Sequence, residues 1–520
     1  MTATEKMNED GFGEQHYFSP TIHLMNMGTG TGKTHFVIHS LIPKVLREGK
    51  RLLYLCNRTA LCSQVCQAIA DRYNDTVNVT SPMASAYYGT NTLPAIIVQT
   101  YQGLESIICN GVDWIREWGY FDYIVADECH YFVQDTSFNS YTRLSFEAIF
   151  SQRCQIFFMS ATMEEFKALI HQKVTFYRHN SMNVCDALLH IKEHIIEDEF
   201  AGIDAVCFHE TSEIISKINA GKKGKKWLIF VESKSLAKKL DDAIGMNSCI
   251  ITADDKDSKE FELITRQEQF HADVLIATSV IDNGVNIKDL NLRHLVLMTS
   301  EKTEFLQMLG RKRREPGERI TVFIQALKKE LLQKRIRKLT NLLDFGNQLL
   351  FQTTSVLIAG TAIRYSSDWR SRYFICHVFN RYTNSTNIVV NSLAVFHCQW
   401  LLNEYKEMLQ KIEKDPDMAF RIPLSWIKQE DEVEAVTCLG SITTKLLDSM
   451  LGIDYTTEGL QKKLCEFIPI VIEFDKKLVQ NRRLSKQNFP KYLERRHPKY
   501  SVEQYEASDR TQRYRLKKRE

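Results

Sequence analysis

The chain has 520 residues, 44% apolar and 25% charged, with a net charge of +3. That is the composition of a soluble globular protein, with room for roughly three domains. No uncharged apolar run approaches the roughly 18 residues that span a bilayer, so no membrane partner is expected.

The first ten residues are polar and acidic rather than a signal peptide. The 13 cysteines include no CxxC pair, and Cys62 and Cys66 read as packing residues on a helix. An odd count of scattered thiols fits a reducing compartment, so the expected location is cytoplasmic. The charge is uneven: residues 476–520 carry 15 Lys/Arg against 5 Asp/Glu. This basic stretch, interleaved with Phe489, Tyr492, Tyr500, Tyr505 and Tyr514, reads either as a nucleic-acid contact or as a solvated end.

In chain order, Thr21–Met25 reads as a strand and Thr34–Ile42 as a helix with an apolar stripe. Between them lies Gly28-Thr29-Gly30-Thr31-Gly32-Lys33-Thr34, the strand, glycine loop and helix of a phosphate-binding loop. Glycines let backbone N–H groups turn toward phosphate oxygens, and the helix start adds its positive dipole end. Lys33 is expected to reach the β- and γ-phosphates of ATP, and Thr34 to help hold Mg2+. A glycine-rich turn with a surface lysine is the plain alternative.

Strands at 51–56, 95–100, 121–126 and 155–159 alternate with helices at 58–73 and 101–109, a βαβ rhythm that predicts a parallel sheet. In such sheets ligands bind at the carboxyl ends of strands. There Asp127 is positioned to hold Mg2+ and Glu128 to activate water. Ser160-Ala-Thr162 ends the next strand. A second α/β unit follows from about 200, with a loop at 221–226, strands at 227–231, 273–277, 293–298 and 319–324, and a helix over 234–244. It carries a turn at Asn283-Gly284 and a helix from near Thr303. On that helix Arg311 and Arg314, three apart, are expected on one face, aimed at the γ-phosphate or simply exposed. Beyond 328 the spacing is helical.

Together these stretches resemble a superfamily 2 helicase of the DExH type. MGTGTGKT (27–34), DECH (127–130), SAT (160–162), WLIFVESKSLA (227–237), ATSVIDNGVNI (277–287) and QMLGRKRR (307–314) resemble motifs I to VI in order. The resemblance covers about the first 325 residues. It implies an α/β fold of two tandem RecA-like parallel-sheet domains (1–195 and 196–327), followed by a mostly helical accessory domain (328–475) and a basic tail (476–520). It places ATP between the two sheets, Gln307, Arg311 and Arg314 at the named motif VI positions, and His130 as the link from nucleotide to the second domain. Thr278, Thr100 and Arg58 in NRTAL (57–61) are implied to touch the bound strand.

The sequence departs from the family pattern in four places. Met27 stands where a small residue is usual, the PTRELA wording of motif Ia is lacking, Asn286 stands where many members have Asp, and there is no Q motif before residue 20. The implied activity is an ATP-dependent helicase or translocase on single-stranded or tailed nucleic acid. DNA is favoured over RNA, because the motif wording is nearer to bacterial DNA-type members. The alternatives are a duplex translocase or restriction/defence motor, and a catalytically silent module binding a protein partner through its helical domain.

Overall fold

The runs Leu52–Cys56, Tyr123–Asp127 and Gln155–Ser160 are buried at every position. Strands covered on both faces of a parallel sheet carry such unbroken apolar runs. The computed structural model describes residues 1–12, 20–73, 79–80, 94–180, 189–197, 200–221, 224–255, 258–278, 286–315, 317–353, 368–430, 437–438, 442–465, 479–480, 483–496, 500–507 and 511–518.

The first sheet comprises β1 (Thr21–Met27), β2 (Leu52–Cys56), β3 (Val79–Thr80), β4 (Ile96–Thr100), β5 (Tyr123–Asp127), β6 (Gln155–Ser160) and β7 (His190–Ile196). Its order is β3-β4-β2-β5-β6-β1-β7, with all neighbours parallel. The strand after the acidic pair, β6, therefore lies between the acidic strand β5 and the phosphate-loop strand β1. Asp127 is level with Met159, and Asn26 with Ser160. Three motifs far apart in sequence thus end on one sheet edge.

The second sheet contains β8 (Ile203–Phe208), β9 (Lys226–Val231), β10 (Ser248–Ile251), β11 (Val274–Ala277), β12 (Leu292–Met298) and β13 (Ile320–Gln325), again parallel. Every strand expected from the sequence forms. β3, β7, β8 and β10 were not expected: most of β7, for one, faces solvent to some degree and it carries four charged or His side chains in seven positions, so no apolar run marks it.

The later region has helices and small sheets. A hairpin of β14 (Ile375–Asn380) and β15 (Ser385–Val390) forms there, and β16 (Thr437–Cys438) joins the second sheet beside β8. Five helices matter below: α1 (Lys33–Phe36), α2 (Tyr101–Cys109), α3 (Lys302–Arg311), α4 (Lys329–Thr353) and α5 (Ser392–Lys414). The chain continues from α1 through a π-helical turn (Val37–Leu41) to a further helix, Ile42–Arg47. α4 and α5 share one core with the second sheet, through Leu342, Tyr405 and Met408 among others. The start of α5 instead engages the first domain: Leu393 lies in that core. Asn391 Nδ2 donates to Thr142 Oγ1 at 3.1 Å, and Arg143 donates to the Val390 carbonyl at 2.6 Å. His397 Nδ1 meets Glu165 Oε1 at 2.7 Å. The third region therefore joins both sheets.

The end of the chain corrects the expectation of a free basic tail. It folds with the segment before it into α6 (Ile442–Met450), β17 (Asp454–Thr456), α7 (Thr457–Leu464), a small β18–β19 pair (Val479–Gln480, Arg483–Leu484), α8 (Asn488–Arg496), β20 (Tyr500–Glu506) and β21 (Gln512–Lys518). Phe489, Tyr492, Tyr500 and Tyr514, which interleave with the basic residues, are buried in its core. Their spacing reflects packing rather than base stacking.

Candidate nucleotide site and interdomain cleft

The phosphate loop turns where Gly30 and Gly32 adopt φ of 84° and 86°, a left-handed conformation that glycine takes without steric cost. Gly32 is the N-cap of α1 and provides no side-chain cap, which leaves first-turn N–H groups for an anion. Thr31 Oγ1 donates to the Gly28 carbonyl at 2.9 Å and fixes the loop's curvature. Lys33 Nζ lies inside the loop, donating to the Met27 and Gly28 carbonyls at 2.6 and 3.0 Å. Met27 is fully buried in the apolar core under the loop, so the larger side chain is accommodated below rather than in the cradle.

The acidic pair faces this loop from β5. Tyr54 donates its hydroxyl to Asp127 Oδ2 at 2.5 Å, and the Thr34 side chain lies beside the same phenol. The two expected magnesium ligands therefore converge on one buried phenol, a residue that sequence reasoning missed. Its only signal was a tyrosine inside an otherwise aliphatic strand. Burial, and then the neighbouring Glu128, push the Asp127 carboxyl up to about 6. Glu128 has φ 52°, a strained value for a residue with a Cβ and one that recurs at functional sites. Burial alone would raise its pKa, but His130, Lys33, Arg311 and Arg313 outweigh burial and hold it below the usual range. Glu128 is therefore an ionised acceptor at neutral pH. A glycine-lined cradle, an ammonium and a carboxylate pair form the donor set that a magnesium–nucleotide requires, and the residues fit it.

His130 links the two sheets. Gln307 Nε2, on α3, lies 2.9 Å from His130 Nε2, and His130 Nδ1 lies 3.0 Å from Ser160 Oγ. Burial lowers the His130 pKa, only partly offset by Glu128. A neutral ring accepting from Gln307 at Nε2 carries its proton on Nδ1, toward Ser160 and Glu128. Ser160 Oγ also donates to the Thr162 carbonyl at 3.1 Å. The SAT tripeptide is thereby connected to the acidic loop.

Motif VI departs from the helical-face expectation. α3 ends at Arg311, and Lys312 is extended, with φ −76° and ψ 108°. Lys312 bridges to Ile287, whose carbonyl accepts from the Arg313 N–H at 2.9 Å. Arg314 consequently turns away and bonds the Ala201 carbonyl. Arg313 is the residue that faces the loop: a Cβ on Gly30 would lie 3.3 Å from its Nη1. Its Nε donates to Asn286 Oδ1 at 2.7 Å, so Asn286 supplies the acceptor that an Asp at this position would also offer. Arg311 is buried, its Nε donating to the Gln307 carbonyl at 3.2 Å. Gly310 lies against the loop as well, since a Cβ there would come within 2.8 Å of Thr29 Oγ1. The sequence signal for Arg313 was a run of three basic residues after Arg311, of which the motif pattern picks Arg314 and the fold turns Arg313 to the loop.

Behind this contact lies a cavity of about 1420 Å³ walled by all three regions, Arg58 and Thr100 from the first, Glu301 and Gln307 from the second, Arg335 and His397 from the third. That exceeds the roughly 300–1,000 Å³ of a small-molecule pocket. Its acidic lining is partly protonated at neutral pH: burial and then Glu304 push Glu301 up to about 8, and burial pushes Asp135 up to about 7. Two of the expected strand contacts, Arg58 and Thr100, line it. Thr100 also N-caps α2, its Oγ1 accepting from Gly103 N–H. Thr278 directly follows β11 and is buried, with its N–H on the Ile251 carbonyl. The rest of motif V through 285, with the Asn283-Gly284 turn, lies outside the described residues.

The fold and site define a phosphate-loop protein with two RecA-like sheets and an interdomain arginine. A DEAD/DEAH box helicase family model matches residues 15–169, and a helicase conserved C-terminal domain model matches residues 209–316. The chain thus carries the N- and C-terminal domains found in DEAD/DEAH box helicases. It is similar at 13% identity to S. cerevisiae Dbp5 bound to RNA and ADP BeF3, over 62% of this chain and 86% of that one, with a TM-score of 0.41. It is similar at 16% identity to Mss116p bound to ssRNA and AMP-PNP, over 65% and 78%, with a TM-score of 0.42. No curated protein matches it. Among the described residues, no helix is long and apolar enough to cross a membrane.

Proposed function

We propose that the chain is a DExH-type, ATP-driven motor that moves along a nucleic-acid strand and separates a tailed duplex, with DNA favoured over RNA and the cytoplasm as its location. The observation that carries this is the Gln307–His130 contact at 2.9 Å. It couples the sheet bearing the phosphate loop to the sheet bearing the arginines. In this reading the loop and Lys33 bind the phosphates of ATP. Mg2+, held by Thr34 and Asp127, supplies charge neutralisation there. Glu128 orients the attacking water and accepts its proton, while Arg311 and Arg313 stabilise charge developing on the phosphoryl group. His130 and Ser160 transmit the state of that site to Gln307. The cavity beside Arg58 and Thr100 is the path assigned to the strand.

The test is ATP turnover with no polymer, then with single-stranded DNA, duplex DNA and single-stranded RNA, with Glu128→Gln as control. Stimulation by a polymer, abolished in E128Q and weakening steeply with salt, is the expected result. Turnover indifferent to every polymer, or intact in E128Q, would sink the proposal.

A further inference from the structure

The C-terminal module has its own core: among the described residues, every member of that cluster lies between 447 and 516. Among the described residues its elements run helix, strand, helix, a short strand pair, helix, strand, strand, from α6 to β21. The three strands are ordered β17-β21-β20, all antiparallel. This is the winged-helix arrangement, in which the third helix is presented beside a two-stranded wing. Among the described residues α8 is the module's third helix. It turns Phe489, Tyr492 and Leu493 inward and leaves Lys491 and Glu494 exposed. The wing is closed at its tip by Ala507 N–H on the Thr511 carbonyl. Along β21, Tyr514 and Leu516 are buried while Arg513, Arg515 and Lys517 alternate onto the other face. Asp454 and Glu503 engage Arg515 and Lys517, but the stretch from 476 onward still carries 15 Lys/Arg against 5 Asp/Glu.

We propose that this module binds duplex DNA, with α8 in the major groove and the β20–β21 wing on the flanking backbone. Fold and charge point the same way. A helix about 10–12 Å across fits the roughly 12 Å major groove of B-form DNA, whereas the A-form RNA groove is too narrow. The site is separate from the ATP cleft and goes beyond the motor reading: it would hold the duplex while the motor handles a strand.

The test uses the full chain, without nucleotide, and a blunt DNA duplex of about two helical turns. Duplex RNA and single-stranded DNA of equal length serve as competitors. Lys491→Glu with Lys517→Glu should weaken blunt-duplex DNA binding by about tenfold and reduce the slope of log affinity against log salt by about two. Lys491→Arg with Lys517→Arg should retain wild-type affinity. ATP turnover stimulated by single strands should be unchanged in both. Unaltered duplex affinity in the charge-reversed variant overturns the proposal. An equal loss for duplex RNA or for single-stranded DNA overturns the major-groove assignment. Failure of the motor reading shows separately, as absent turnover, and leaves the binding result readable.

Discussion

Arg313→Ala sets the geometry against the motif pattern. The QxxGRxxR spacing gives the second arginine role to Arg314, but the chain leaves its helix at Arg311. Arg313 then faces Gly30 while Arg314 bonds Ala201. Removing one preorganised donor from a developing charge costs about 10²–10³ in turnover, or about 2.7–4 kcal/mol. A full arginine finger is worth roughly 10³–10⁵. Because Arg311 remains, R313A should fall in the lower of these ranges. R314A removes a bond at the outer surface of the second domain and should change turnover by less than about threefold. The assay is steady-state ATP hydrolysis at saturating polymer, with thermal melting to verify folding. A group acting in the transition state should lower kcat and kcat/KM together. Collapse of turnover in R314A with R313A near wild type would refute the reasoning.

Gly310→Ala should reduce turnover roughly 10- to 100-fold with the fold intact, because its Cβ would press on Thr29. Adding Thr29→Ala, which deletes the two nearest atoms, should restore part of the loss in the same assay. Gln307→Leu should leave ATP affinity near wild type, measured with a fluorescent nucleotide, yet abolish stimulation by polymer. His397→Ala strands Glu165 in a buried position and should cost about 3–5 kcal/mol in chemical denaturation. Stability should also decline with rising pH. Burial opposes the His397 charge, but Glu165 raises its pKa overall, so its contribution is complete below 6.5 and lost as pH passes the folded value. Glu301, at about 8 when folded against 4.5 when unfolded, loses its contribution over that interval. Melting should therefore occur at lower temperature at pH 9 than at pH 6, and Glu301→Gln should flatten the slope.

Much of the phosphate loop and acidic pair was legible because each is local. Gly30, Gly32, Lys33 and Thr34 are constrained by one turn, and Asp127 and Glu128 by the end of one buried strand. The sheets were legible wherever both faces are covered, since burial enforces apolar runs; β7, with little burial and charged positions, left no such trace. The fold of the basic stretch after 476 was not legible because composition reports charge, not whether alternate side chains find a common core. Strand order, which brings Ser160 between the loop and the acidic pair, comes from parallel pairing at long range. The choice of Arg313 over Arg314 depends on where a helix stops, and that is decided by the Ile287 bridge from another segment. The Tyr54 contact with Thr34 and Asp127, and the Gln307 bond to His130, join residues that sequence spacing does not relate. The chain itself determined which chemical groups are present; their convergence across two sheets was decided by tertiary packing, because only the closed fold brings those side chains within a few ångströms.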